Sequence, residues 1–66
     1  MGDTTMTFNF SKYGQDTMFR TEDFATIKEA ENHAKSLHQT MGVKIKLYKV
    51  AAIIGGKQIN VLVGTY

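Results

Sequence analysis

Apolar and polar residues alternate along residues 5–13, where threonine and asparagine separate Met6, Phe8 and Phe10. A period of two predicts a strand with one buried face. Residues 14–16 read Gly-Gln-Asp and predict a turn, and residues 17–22 predict a second short strand that carries Met18 and Phe19. Strand, turn and strand together predict a β-hairpin at the start of the chain.

An apolar stripe with helical spacing follows this hairpin. Its members lie three or four residues apart, and they are Ile27, Ala30, Ala34, Leu37 and Met41. Thr26 and Glu29 have the spacing of a capping box, and Gly42 can adopt the left-handed conformation that ends many helices. The stripe therefore predicts one amphipathic helix between Thr26 and Gly42. Alternation and stripe also place Met6, Met18 and Met41 in the core.

A second hairpin is predicted after the helix, because residues 43–54 are rich in β-branched side chains and residues 58–66 resume that pattern. The order β-β-α-β-β predicts an α+β fold, in which a four-stranded antiparallel sheet carries one helix on one face. We expect a single domain over residues 1–66, with residues 1–4 frayed.

The register of the second hairpin decides which side chains face outward. A three-residue loop, 55–57, gives one continuous apolar face and is the favoured prediction. Its pairs would be Ile53 with Ile59 and Ala51 with Val61. A two-residue Gly-Gly turn would shift the register by one residue, and a bulge near Tyr48 or Lys49 would then be needed to restore that face.

Size makes association with a partner an expected feature. A chain of 66 residues buries only about 60 % of its unfolded surface, so its core is marginal. Cysteine is absent, which removes disulfides and thiolate metal sites as sources of additional stability. Association, with a second copy or with another protein, is the remaining route.

The favoured register leaves one face of the second hairpin without a helix to cover it. This face combines an apolar centre with aromatic residues and a basic end, as protein-binding surfaces do. The residues expected to bind a partner are Lys44, Lys46, Tyr48, Val50, Leu62 and Tyr66, with Ala52, Ile54 and Asn60 beside them. The alternative is a small sheet that exposes several apolar residues without any partner.

Charge is divided unevenly along the chain. All six acidic residues lie at or before Glu31, and five of the eight basic residues follow it. Lys44, Lys46 and Lys49 with Tyr48 suit nucleic acid, because a strand can present lysines to phosphates while a tyrosine stacks on an unpaired base. Lysines on a sheet also discourage aggregation, so the same residues fit a solvated surface.

No pattern in the sequence predicts a catalytic or metal site. His33 and His38 lie five residues apart, so they do not share a helix face as ligands four residues apart would. Ser11 and Ser36 have no evident His-Asp arrangement around them. We therefore expect a non-enzymatic protein without a cofactor or metal.

The sequence also bears on location. No segment approaches the ~20 apolar residues of a membrane-spanning helix, and the start of the chain lacks the basic and apolar regions of a signal peptide. We expect a soluble cytoplasmic protein that does not enter a membrane.

Residues 26–35 read Thr-Ile-Lys-Glu-Ala-Glu-Asn-His-Ala-Lys, and Gly42-Val43 and a basic strand follow them. This layout resembles that of very small phage proteins, among them anti-CRISPR proteins and the phage inhibitor of bacterial RNA polymerase. The resemblance covers about half the chain and concerns pattern, so it transfers no site residue. It implies an inhibitor or modulator that covers the surface of a host protein. The basic C-terminal half argues against mimicry of DNA.

These observations support three functional hypotheses. The first is a small protein-binding module, encoded by a phage or mobile element, that docks its open sheet face or an edge strand on a host protein. The second is a nucleic-acid-binding module that uses the basic strand. The third is a homodimer whose sheets pack face to face.

Overall fold

The computed structural model describes residues 4–66. Its elements are β1 (Met6–Lys12), β2 (Met18–Phe24), α1 (Ile27–Met41), β3 (Ile45–Ile54) and β4 (Lys57–Thr65). Within this range the strands form one antiparallel sheet in the order β2-β1-β3-β4, and α1 packs on one face, which confirms the expected α+β fold. A helix joins β2 to β3 because these strands run parallel, on either side of β1, and no tight turn can join parallel strands. Fraying was expected for residues 1–4, and residues 1–3 lie outside the part of the chain that the structure describes.

The first hairpin differs slightly from its predicted bounds. β1 is one residue shorter at each end than predicted, and β2 continues two residues past the predicted end, to Phe24. The Phe24 ring packs edge-on against Phe8 and Phe10, with centroids 5.9 and 6.3 Å apart. This aromatic contact keeps the end of β2 in the sheet, although Glu22 and Asp23 precede Phe24 and interrupt the alternation.

Both predicted ends of the helix are confirmed. Thr26 Oγ1 accepts from the Glu29 N–H at 3.2 Å, and Glu29 Oε1 accepts from the Thr26 N–H at 3.1 Å, which completes the capping box. Gly42 has a φ of 72° and donates its N–H to the His38 carbonyl at 2.8 Å. The chain then turns directly into β3.

The core lies between α1 and the middle of the sheet. Its six fully buried apolar residues are Phe8, Phe10, Ala30, Ala34, Ile45 and Leu47. Small side chains on the helix face large ones on the sheet, so the helix backbone approaches the sheet closely. Met6 and Met41 pack at the edge of this core as predicted, but Met18 does not. It lies opposite Ser11, on the side of the sheet away from α1.

The turn of the second hairpin corrects the favoured register. Ile54 pairs with Lys57 across a two-residue turn of Gly55 and Gly56, whose φ angles are 60° and 80°. Positive φ at both positions defines a type I′ turn, whose twist matches that of paired strands. The predicted three-residue loop is therefore wrong, and Ile53 lies opposite Gln58 instead of Ile59.

Two bulges accompany this shorter turn. One extra residue, Ala51, interrupts β3 between Val50 and Ala52, and another, Val63, interrupts β4 where the register shifts between Leu47 and Tyr48. Each bulge exchanges the faces of all residues beyond it. The irregularity at Leu47 and Tyr48 lies where the sequence allowed a bulge for the shorter turn.

The second hairpin projects beyond the rest of the molecule. β1 pairs with β3 only as far as Phe8 and Lys49, whereas β3 and β4 stay paired to Ile54 and Lys57. We call residues 50–61 the arm. The Cα radius of gyration is 11.9 Å, against about 10.8 Å for a compact domain of this length. The arm therefore gives the molecule an elongated shape.

Candidate protein-binding surface

The side of the sheet away from α1 brings together four of the predicted partner-binding residues. Tyr48 lies between Asn9 of β1 and Leu62 of β4, and Lys46 Nζ lies 5.8 Å from the Tyr48 ring centroid. We call this side the open face. It consists, in the second hairpin, of Lys46, Tyr48, Val50, Ile53, Gln58, Asn60, Leu62 and Thr65. Lys44 is exposed just before β3, so it adjoins this face.

Tyr66 was expected on the open face but lies on the opposite side. Its backbone pairs with Ile45, its hydroxyl donates to Glu31 Oε2 at 2.7 Å, and Lys35 Nζ lies 6.0 Å from its ring. The bulge at Val63 explains this difference, because it exchanges the faces of the residues that follow it. Burial and the bond to the Glu31 carboxylate raise the pKa of Tyr66 to about 12.

The same parity argument corrects other predicted members of the open face. Ala52 pairs with Ile59 and Ile54 with Lys57, so both lie on the helix side beyond the bulge at Ala51. Lys49, which was predicted only as a contact to nucleic acid, lies on the helix side, between Phe8 and Val61.

The predicted nucleic-acid group is consequently divided. Lys46 and Tyr48 share the open face, whereas Lys49 is half-buried on the other side of the sheet. A strand that presents lysines and a stacking tyrosine to one nucleic acid strand needs them on one face. Lys46 and the neighbouring Lys44 are therefore the basic residues of this group that the open face could present to a nucleic acid.

Asn9 organises the polar part of the open face. Its side chain is only 2 % exposed, and its Nδ2 donates to Gln58 Oε1 at 3.0 Å and to Asn60 Oδ1 at 2.7 Å. Its Oδ1 accepts from the Thr21 hydroxyl. One amide thus joins β2, β1 and β4 across β3. Alternation assigned Asn9 to the polar side, but its partners, 49 and 51 residues away, could not be read from the sequence.

The arm is apolar on both faces. On the open face Ile53 is 66 % exposed, and Leu62, directly after the arm, is 52 % exposed. On the helix side Ile54 is 67 % exposed and Val61 53 % exposed. Sequence reasoning missed the helix side, because it assumed that α1 covers the whole length of the sheet. In β3 and β4 only Ile45 and Leu47 are fully buried.

A notch of about 320 Å³ lies at the base of the arm. It is lined by residues 5–7 at the start of β1 and by residues 49–53 of β3. The notch opens where β1 separates from β3 past the Phe8–Lys49 pair. It is therefore a gap beside a strand, and residues 50–53 present one backbone edge to it.

Both histidines of the helix contact groups that belong to the fold. His33 packs between Phe10 and Phe24, with ring centroids 5.4 Å away in both cases, and its Nε2 lies 3.9 Å from Glu22 Oε2. His38 Nδ1 lies 2.8 Å from the Val43 carbonyl oxygen. Among residues 4–66, no three His, Asp or Glu side chains come together as a metal ion would require. In the same part of the chain, no helix is long and apolar enough to cross a membrane.

Comparison of this chain with protein-family models, curated proteins and solved structures found no match. Any inference about function must therefore come from the surfaces of the molecule. Two features stand out by their chemistry, namely the open face around Tyr48 and the arm with its notch.

Proposed function

We propose that this chain is a small non-enzymatic protein-binding module that docks its arm and the adjoining open face on a larger host protein. The observation that carries the proposal is the exposure of large apolar side chains on both faces of the arm. Burying one such side chain contributes about 1.5–3 kcal/mol. Contiguous apolar surface of this kind is typical of protein-binding sites.

The composition of the open face supports a partner with an acidic patch. Tyr48 and Leu62 form an apolar centre in the open face, and aromatic residues are frequent among those that dominate binding energy. Lys46 lies at one end of this surface and Lys57 at the tip of the arm, and Lys44 is exposed nearby. Basic residues at the rim accelerate association with acidic surfaces and disfavour basic ones.

The resemblance of residues 26–43 to very small phage proteins completes the proposal. A protein of this kind acts by covering the surface of its host target, and needs no catalytic group to do so. In this proposal the chain is encoded by a phage or mobile element and inhibits or modulates the host protein to which it binds.

Affinity capture from a bacterial lysate with matched variants tests this function. Leu62→Lys places a charge in the centre of the surface, and we expect it to remove the proteins that the wild-type chain captures. Val43→Lys is the control, because Val43 is similarly exposed but lies outside the arm and the open face. If every captured protein bound equally to both variants, the proposed docking surface would be wrong.

A further inference from the structure

Within residues 4–66, one backbone edge of the arm has no strand beside it. The β1–β3 ladder ends at Phe8 and Lys49, while the β3–β4 ladder continues to Ile54. Along residues 50–54, therefore, no strand within residues 4–66 pairs with the edge of β3 that borders the notch. Unpaired N–H and C=O groups in a row are a template for adding a strand from another chain.

The sequence of this edge does not discourage pairing. Residues 50–54 read Val-Ala-Ala-Ile-Ile, without a charge, a proline or a glycine. β2, at one border of the sheet, carries Arg20, Glu22 and Asp23, and charged residues of this kind protect edge strands from pairing. A short uncharged segment of high β-propensity is the sequence that pairs with itself most readily.

We infer that a second copy of this chain occupies this edge, with the two β3 segments antiparallel about a two-fold axis at Ile53. This inference rests on the proposed function, in which the arm is a protein-binding element, and it names a partner for the arm's edge. Ile53 would lie opposite Ile53 of the second copy, and Ala52 opposite Ile54 of the second copy. These pairs match because Ile53 lies on the open face, and Ala52 and Ile54 both lie on the helix side.

Charge also favours a second copy over an unrelated strand. Asp23 lies opposite Thr7, next to the point where β1 leaves β3, and accepts from the Thr7 hydroxyl at 2.8 Å. The antiparallel arrangement directs the tip of each arm, with Lys57 on the helix side, toward the end of β2 in the other copy, where Glu22 lies on the helix side and Asp23 on the open face. The division of charge along the chain, acidic before Glu31 and basic after it, is thus complementary within the pair.

Cysteine cross-linking tests the position of the axis, because the chain has no cysteine of its own. Directly opposed residues in an antiparallel pair have Cα atoms about 4.5–5.5 Å apart, within the range that a disulfide spans. We expect Ile53→Cys to form a disulfide-linked dimer rapidly under mild oxidation. Ile59→Cys, on the other strand of the same arm, should react at least about tenfold more slowly, as should Ile27→Cys on the helix. Equal rates for the three variants would overturn the inference.

Sedimentation of the uncross-linked chain gives the second test. The wild-type chain should change from monomer to dimer between concentrations of about 1 μM and about 1 mM. Ile53→Lys places two like charges at the axis, so this variant should stay monomeric, and an unchanged circular dichroism spectrum should show that it is folded. A wild-type chain that is monomeric throughout this range would overturn the self-pairing. That failure is distinct from failure of the proposed function, which the lysate comparison of Leu62→Lys and Val43→Lys decides separately.

Discussion

Replacing Asn9 with alanine removes the amide that joins three strands on the open face. The change deletes three side-chain hydrogen bonds, two that Asn9 donates to Gln58 and Asn60 and one that it accepts from Thr21. Each bond contributes about 0.5–1.5 kcal/mol net. Thr21 and Gln58 are exposed and can be hydrated after the change, so we expect a loss near the lower end of the sum, about 2 kcal/mol.

Urea denaturation followed by circular dichroism measures this loss. Thr21→Val and Asn60→Ala each remove one of the three bonds, and we expect about 1 kcal/mol from each. Hydrogen exchange should show that the amides of Gln58 and Asn60 lose protection in Asn9→Ala, since this side chain fixes the base of the arm. A change in the free energy of unfolding below about 0.5 kcal/mol, the usual range of a surface substitution, would refute this role of Asn9.

Three further predictions concern Tyr66 and the lysines. Gly64→Ala should destabilise the fold by about 1–2 kcal/mol, because the added Cβ would lie 2.9 Å from the Tyr66 hydroxyl oxygen. Absorbance titration should show the pKa of Tyr66 falling from about 12 toward 10, and an unchanged pKa would contradict this prediction. Because the pKa of Tyr66 is raised to about 12, its contribution to stability is fully present below pH 10 and is lost as the pH rises toward 12. Denaturation across this pH range should show that the free energy of unfolding falls less in Tyr66→Phe than in the wild type, and parallel curves would count against this role of Tyr66. Fluorescence anisotropy should show only weak binding to DNA, and the slope of log affinity against log salt concentration should be no steeper than about −2, since Lys44 and Lys46 would neutralise about two phosphates. A steeper slope that persists in the double variant Lys44→Glu, Lys46→Glu would mean that other residues bind DNA.

The helix could be predicted from the sequence because its determinants are local. The capping pair Thr26 and Glu29, and the terminal Gly42, act within one turn of the residues that they cap, and the structure has each contact as predicted. The alternation in β1 likewise fixes which side chains face the core, since the side-chain period of a strand is two. Element order and type followed from these local signals.

The face of each residue in the arm could not be predicted, because it depends on where the bulges fall. A bulge requires one extra residue opposite a partner strand, and no local composition marks Ala51 or Val63 as that residue. The Gly-Gly pair, in contrast, was a local signal for a type I′ turn. The three-residue loop was nevertheless favoured, because it gives one continuous apolar face. That criterion does not apply to an arm that is apolar on both faces.

The two proposals use different parts of the arm and are therefore compatible. Pairing of two copies through residues 50–54 consumes a backbone edge, whereas docking on a host protein uses side chains of the arm and of the adjoining open face. Because a two-fold axis perpendicular to the sheet places both open faces on the same side, the dimer would present Tyr48 and Leu62 twice on one continuous surface. Two linked copies gain avidity only for a partner that both can reach at once. If the Ile53→Cys chain captures the host protein more strongly as the disulfide-linked dimer than in its reduced form, dimerisation acts by doubling the docking surface.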